Sequence, residues 1–390
     1  MMTGSYDGTV KIWNCITGDL IRTLEGHTKG VKALVFDEQK LITGAMDSYI
    51  KVWNYRTGQC ISTYAGHEES VLSVDFHDKV IVSGSADKTV KVWHVDTRTC
   101  YTLRGHTDWV TSVKIHPQSC TIYSASDDLT VRMWDMKTNK CLAVFGGVEN
   151  NGHIGQIQSV IPLTIKDKII TSIDGNDTVN NSNQSLSGAG STATASATQL
   201  SQEHHYQQQL QIQRNNSAAV AAAAAAATGA SGVAPATISR NSTTTSNTIN
   251  GNGNNNVSPN ANATIINNPS DNDSSESDNE DDGLSKNPDL PTHLLTAALD
   301  NTIKLWDVKT RKCIRTQFGH IEGVFSITAD NFRIVSGAHD KLVKVWDLQT
   351  GQCMHTFGGN SSPVLCVDLC DSRFVSGMEN GDVKMYMFDV

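Results

Sequence analysis

Residues 81–93 read IVSGSADKTVKVW: an apolar pair, a Ser-Gly-Ser step, an Ala-Asp-Lys turn, then alternating valines closing on Trp93. Period-two alternation on both sides of a polar turn predicts a β-hairpin. The pattern recurs outward in both directions. Trp93 has counterparts at Trp13, Trp53, Trp134, Trp306 and Trp346, with Tyr386 ending the series, at intervals of 40, 40, 41, 172, 40 and 40 residues. Six residues before each anchor stands Asp7, Asp47, Asp87, Asp128, Asp300 or Asp340, and Asn380 in the last copy. Ten residues before it stands Thr3, Thr43, Ser83, Ser124, Thr296, Ser336 or Ser376, a column without exception.

A Gly-His pair follows most anchors, at His27, His67, His106, His153 and His320. A period near 40 with this pair is the signature of WD40 repeats, so the expected fold is all-β, a seven-bladed WD40 β-propeller. In such repeats the His, the turn Asp, the strand Ser or Thr and the Trp form a hydrogen-bonded column inside each blade. The sets His27/Thr43/Asp47/Trp53, His67/Ser83/Asp87/Trp93, His106/Ser124/Asp128/Trp134, His153/Thr296/Asp300/Trp306 and His320/Ser336/Asp340/Trp346 are read as such tetrads. They are structural, because a hydrolytic or metal site would gather these residues at one place. No Ser/His/Asp clustering, Walker loop or nucleophile elbow accompanies them, which argues against an enzyme.

The chain has no apolar run of 18 residues and no signal peptide, so the expectation is a soluble, intracellular protein with no membrane partner. Of nine cysteines, Cys60, Cys100, Cys141, Cys313 and Cys353 lie seven residues after an anchor Trp. They are assigned to inward positions of the outermost strands, packing as small hydrophobes. No CxxC pair exists to bind zinc, and the CxxxC of Cys366 and Cys370 is read as core rather than as a metal site. No cofactor is expected.

Met1 and Met2 occupy strand positions filled elsewhere by Ile81 and Val82. The first blade therefore lacks its innermost strand and the last its outermost, strands that an amino-terminal segment supplies in intact propellers; such open edges invite pairing. Residues 1–170 and 291–390 form the two parts of the propeller. Residues 171–290, rich in Asn, Ser, Thr, Gln and Ala, form a low-complexity insert read as disordered. It falls between the first and second strands of the fifth blade, where its length costs roughly 3 kcal/mol in loop closure. The insert holds eleven Asp/Glu and three Lys/Arg, a net of −8 within the chain's −9. The propeller itself is nearly neutral, which argues against a nucleic-acid partner. The acidic run SDNDSSESDNEDD (Ser270–Asp282) reads as a solvated stretch; its serines could also serve an acid-directed kinase.

The turns carrying the Asp column and the Gly-His loops share one face of a propeller, and the insert leaves from the other. The variable positions of the first face are Tyr6, Met46, Ala86, Asp127, Leu299, His339 and Glu379 in the turns. Lys29, Lys32, Glu68, Leu72, Asp108, Trp109 and Phe325 stand in the loops. Aromatic anchors among carboxylates suit protein capture. No arginine is present among them, so a partner read chiefly through phosphate is not expected.

The runs Val80–Thr107, Ile161–Asp167 and Leu299–His320 resemble the fungal F-box/WD-repeat substrate receptors of SCF ubiquitin ligases that restrain sulfur amino acid biosynthesis. The resemblance implies a propeller that captures a bZIP-type transcriptional activator of methionine and sulfate-assimilation genes. It also implies a Skp1–cullin core engaged through an F-box, residence in nucleus and cytoplasm, and chemistry carried by partners. This chain departs from that pattern in having no F-box, which leaves a gene model begun at a wrong Met or a fragment. WD repeats serve many roles, so the alternative reading is a scaffold for signalling or RNA-processing complexes.

Overall fold

Alternating valines and isoleucines favour extended backbone because a β-branched side chain fits the pleated, half-buried surface of a sheet. In the computed structural model, which describes residues 1–165, 264–266, 288–370 and 372–388, they build seven antiparallel sheets, the blades. Blades 2, 4, 5 and 6 each hold four strands in chain order, blade 3 holds four in chain order and a fifth added at its rim, and blades 1 and 7 hold three. The blade read first comprises Val71–His77, Val80–Ser85, Val90–His94 and Thr99–Leu103. Its register sets Val82 opposite Val92 and Ile81 opposite Trp93, so the hairpin seen in the sequence is the centre of a blade.

Blades pack face to face through these apolar positions. Trp93 and Cys100 of blade 3 lie in one cluster with Ile42, Ile50, Val52 and Tyr64 of blade 2. Between blades 4 and 5, Trp306 joins Tyr123, Met133 and Phe145. Inner strands are also locked in register by hydroxyls. The Val113 amide donates to Ser73 Oγ at 3.0 Å, Val160 to Ser112 Oγ at 3.3 Å, and Val367 to Ser326 Oγ at 3.2 Å. Where one blade's second strand meets the next blade's first, there is no room for bulk. A Cβ on Gly337 would stand 2.5 Å from Val364 Cγ1, and one on Gly44 2.6 Å from Val71 Cγ1.

Blade 5 is assembled from both sides of the long insertion: Ile157–Leu163 pairs with His293–Ala298, which pairs with Ile303–Asp307. Most of the segment read as disordered, 171–290, lies outside the described residues. Two parts of it are described, and both are ordered. Pro288–Leu290 form a turn, with Leu290 packed on the core, and Thr264–Ile266 form a short strand lying parallel to Thr99–Tyr101 at the rim of blade 3. In the second case backbone pairing with the rim strand supplies the contacts.

Blades 1 and 7 meet across a cleft of about 520 Å³ lined by Trp13, Cys15, Ile16, Asp382 and Met385. Among the described residues, Met2–Gly4 pairs on one side only, with Val10–Trp13, and Val383–Met387 likewise only with Arg373–Met378.

The cysteines correct the reading that placed them all in the core. Only Cys100 is fully buried; Cys60 and Cys141 are exposed, and Cys313 and Cys353 are half-buried. A rim strand is covered on one side, and a bulge beside each of those four residues turns the strand outward. Cys366 and Cys370 are exposed as well, on the inner strand of blade 7 that faces three-stranded blade 1. Among the described residues no group of three His, Cys, Asp or Glu side chains is placed to hold a metal ion. Burial pushes the Cys100 thiol up to about 11. Alkylation of Cys100 by iodoacetamide at pH 8 is therefore expected to be at least about 100-fold slower than that of Cys60. Site-resolved mass spectrometry measures both rates, and comparable values would contradict this packing.

Candidate protein-interaction face

Five complete tetrads run through blades 2 to 6. In blade 3 the Trp93 indole donates to Ser83 Oγ at 2.9 Å, Ser83 Oγ lies 2.7 Å from His67 Nε2, and His67 Nδ1 lies 2.7 Å from Asp87. Blade 5 repeats the chain across the insertion. Trp306 reaches Thr296 at 2.8 Å, Thr296 reaches His153 at 2.8 Å, and His153 reaches Asp300 at 2.9 Å. The Thr43, Ser124 and Ser336 sets match, with His27, His106 and His320 bonded to Asp47, Asp128 and Asp340.

A neutral imidazole carrying its proton on Nδ1 satisfies every member: indole N–H to hydroxyl, hydroxyl to Nε2, Nδ1–H to carboxylate. The electrostatics agree. Burial lowers the affinity of His27, His67, His153 and His320 for a second proton, against the pull of their Asp partners. Burial also opposes charge on Asp87 and Asp128, but the hydrogen bonds they accept outweigh it and hold both well below the usual carboxylate range. Each Asp then does a second task. Asp87 Oδ2 accepts the Glu68 amide at 3.1 Å while Oδ1 accepts the Thr89 amide at 3.0 Å, tying the Gly-His loop to the turn. Blades 2, 4, 5 and 6 tie Thr28, Thr107, Ile154 and Ile321 in the same way. Loops and turns are thereby fixed together on one face, and the side chains between them are presented from rigid backbone.

The end blades depart from this plan. In blade 1, among the described residues, Asp7 bonds only within its own turn: it accepts from the amide and hydroxyl of Thr9, and its amide donates to Ser5 Oγ. In blade 7, Asn360 stands in the His position and donates to Lys341 O at 2.8 Å. Tyr386 stacks on Phe374 at 4.6 Å instead of reaching Ser376, whose hydroxyl is buried without a partner among the described residues.

Tyr6 is 59% exposed, and the Lys32 ammonium lies 4.6 Å from its ring centre, with Lys29 exposed nearby in sequence. Trp109 is 49% exposed. Its carbonyl accepts the Asp127 amide at 2.9 Å, so the loop of Asp108 and Trp109 is pinned to the turn of Asp127. Burial pushes the Asp127 carboxyl up to about 6, a Gln158 hydrogen bond at 3.0 Å opposing this and Asp108 and Asp128 reinforcing it. The face can therefore shed a negative charge on mild acidification. Across the ring, Phe325 lies 6.0 Å from the His339 ring, which is paired with Glu322 at 2.6 Å. Glu68 is exposed, while Met46, Leu72, Asp108 and Leu299 are half-buried. Ala86, at 6% exposure, is buried, unlike the other positions of the turn row. Sequence reasoning passed over Ile321, 62% exposed directly after His320, and Tyr49, 41% exposed two residues after Asp47. Their place beside the recurring His and Asp was the available signal.

The WD domain, G-beta repeat family matches residues 1–14, 18–54, 58–94, 97–135, 283–307, 311–347 and 351–386. The chain belongs to this family. Among its relatives is an F-box protein of Saccharomyces cerevisiae, 47% identical over 338 residues, which are 87% of this chain and 40% of that protein. Shorter matches include sconB of Arthroderma otae, a probable E3 ubiquitin ligase complex SCF subunit. It is 59% identical over 51 residues, 13% of this chain and 8% of that protein. The Neurospora crassa scon-2, with the same description, is 50% identical over 48 residues, 12% and 7% of the two chains. This WD-repeat chain thus spans about two fifths of the Saccharomyces F-box protein and less than a tenth of the others. In fold it is similar to the computationally designed Ika8 protein, with a TM-score of 0.55 at 22% identity over 99% of this chain and 80% of that one.

Proposed function

We propose that this propeller is the substrate-recognition part of an SCF-type ubiquitin ligase, and that it captures a bZIP-type transcriptional activator of sulfur amino acid genes. The observation that carries the reading is the 47% identity to an F-box protein, extending over 87% of the chain. A Skp1–cullin core, engaged through an F-box, and a conjugating enzyme would supply the ubiquitin chemistry, leaving this chain a binding subunit of nucleus and cytoplasm. The tetrad-fixed face of Tyr6, Lys29, Lys32, Met46, Glu68, Leu72, Asp108, Trp109, Asp127, Phe325 and His339 is where capture is assigned. Its only cations among these positions, Lys29, Lys32 and His339, do not form a bidentate phosphate fork, so apolar and acidic contacts dominate the recognition.

Purified chain is expected to retain the activator in a pull-down, and Trp109→Ala with Phe325→Ala to weaken its binding at least about tenfold. The melting temperature of the double variant should stay near that of the parent, since neither ring is among the buried core. Undiminished binding would reject the face. No retention of the activator by the parent chain would reject the substrate.

A further inference from the structure

The rim of blade 3 differs from the other rims. Wherever else a fourth strand, or the third of blade 1, pairs with its Trp-bearing neighbour, the register slips by one residue beside the Trp. The slips fall at Ile12/Trp13, Val52/Trp53, Met133/Trp134, Leu305/Trp306 and Val345/Trp346. Three of the five skipped residues stand open to solvent, Ile21 at 61% exposure, Ile61 at 52% and Met354 at 50%, while Leu142 and Ile314 are half-buried. Bulges bend an edge and spoil its hydrogen-bonding row, which protects a rim from further pairing. In blade 3 the register runs unbroken from Val90–Leu103 through Trp93–Cys100 to His94–Thr99. The cause is a single missing residue. Trp93 to Gly105 is 12 residues, where Trp13 to Gly26, Trp53 to Gly66 and Trp306 to Gly319 are each 13. Blade 3 thus keeps a straight, unprotected outer edge.

That edge is the one carrying an extra strand. Thr264, Ile265 and Ile266 lie parallel to Thr99, Cys100 and Tyr101, making blade 3 a five-stranded sheet. The added segment consists of three β-branched residues, in a stretch bounded by Pro259 and Pro269, which limit how far pairing can extend. Two independent features therefore coincide, an edge relieved of its bulge and a short strand-forming segment in the insertion. We propose that the outer edge of blade 3 is a strand-addition site whose occupant is Thr264–Ile266 of the same chain, strapping the insertion of blade 5 to the rim two blades away. Pro288 begins the described lead into blade 5. This assignment does not depend on the ligase reading.

Hydrogen exchange on the full chain, read by mass spectrometry, tests it. The peptide holding Thr264–Ile266 is expected to exchange at least about tenfold more slowly than its intrinsic rate, unchanged on tenfold dilution of the protein. Ile265→Pro removes an amide and should abolish that protection, loosen Thr99–Tyr101, and leave the melting temperature unaltered. Inserting one Ile between Cys100 and Tyr101, which restores the bulge, should release the strap as well. Exchange of the parent peptide at its intrinsic rate would overturn the proposal, as would full protection in the Pro variant. Protection that falls on dilution would instead assign the strand to a second copy and overturn the same-chain occupant.

Discussion

Asp300→Ala is expected to cost this protein about 3–5 kcal/mol, whereas Asp7→Ala, at the same place in its repeat, should cost less than about 1 kcal/mol. The Asp300 side chain is 2% exposed and accepts four hydrogen bonds: His153 Nδ1 at 2.9 Å, the Ile154 amide at 3.0 Å, the Thr302 amide at 3.1 Å and the Thr302 hydroxyl at 2.7 Å. Removing the carboxylate strands all four donors in the interior. It also unties His153, which comes from before the insertion, from the turn that comes after it. Asp7 is exposed and bonds Thr9 and Ser5 of its own turn, so water replaces it readily. A loss of about 4 kcal/mol corresponds to a fall in melting temperature of roughly 10 °C for a structured part of this size. Asp300→Asn should fall between the two, because it keeps one acceptor but turns a donor toward the histidine. Calorimetry on the three variants decides the matter, and equal losses at positions 7 and 300 would contradict the tetrad account.

Much of this was legible from spacing alone, and the reason is physical. A buried Ser–His–Asp–Trp chain must be complete in each blade or leave groups unsatisfied, so its members recur at fixed distances even when His153 and Asp300 are separated by the insertion. Two features escaped that logic. The Ser/Thr column has no exception in sequence, yet Ser376 has no partner among the described residues, because its neighbours are Asn360 and Tyr386 and an aromatic stack claims the latter. The cysteine column failed for the converse reason. Period-two reasoning presumes an unbroken strand, and a bulge beside Cys60, Cys141, Cys313 and Cys353 breaks it, while the one-residue deletion that straightens blade 3 leaves Cys100 inside. The proposed interaction face rests on position, since loops vary where tetrads do not. Exposure was not legible: Ala86 proved buried and Ile321 open.

The same columns make stability depend on pH in a definite direction. His27, His67, His153 and His320 are each held below 6.5 by burial, with His116 and His293 shifted the same way. A histidine harder to protonate when folded gives stability that is whole above pH 6.5 and declines as pH falls toward its folded value, by up to about 1.4 kcal/mol per unit for each. Two carboxyls oppose this. Burial raises Asp127 to about 6 and also raises Asp368, so each takes up a proton in the folded state as the solution acidifies, which stabilises it. Six histidines against two carboxyls make the net effect a loss of stability between pH 7 and pH 5. A second loss follows below pH 3.8, where Asp87, Asp128, Asp340 and Asp300, the last held near 2, begin to be protonated in the unfolded chain and their contribution disappears as pH falls further. Melting temperatures across this range should therefore fall in two steps, the first at least about 5 °C by pH 5. A profile flat from pH 7.5 to 5 would mean that the tetrad imidazoles accept a second proton without cost, and would remove the basis for drawing them neutral.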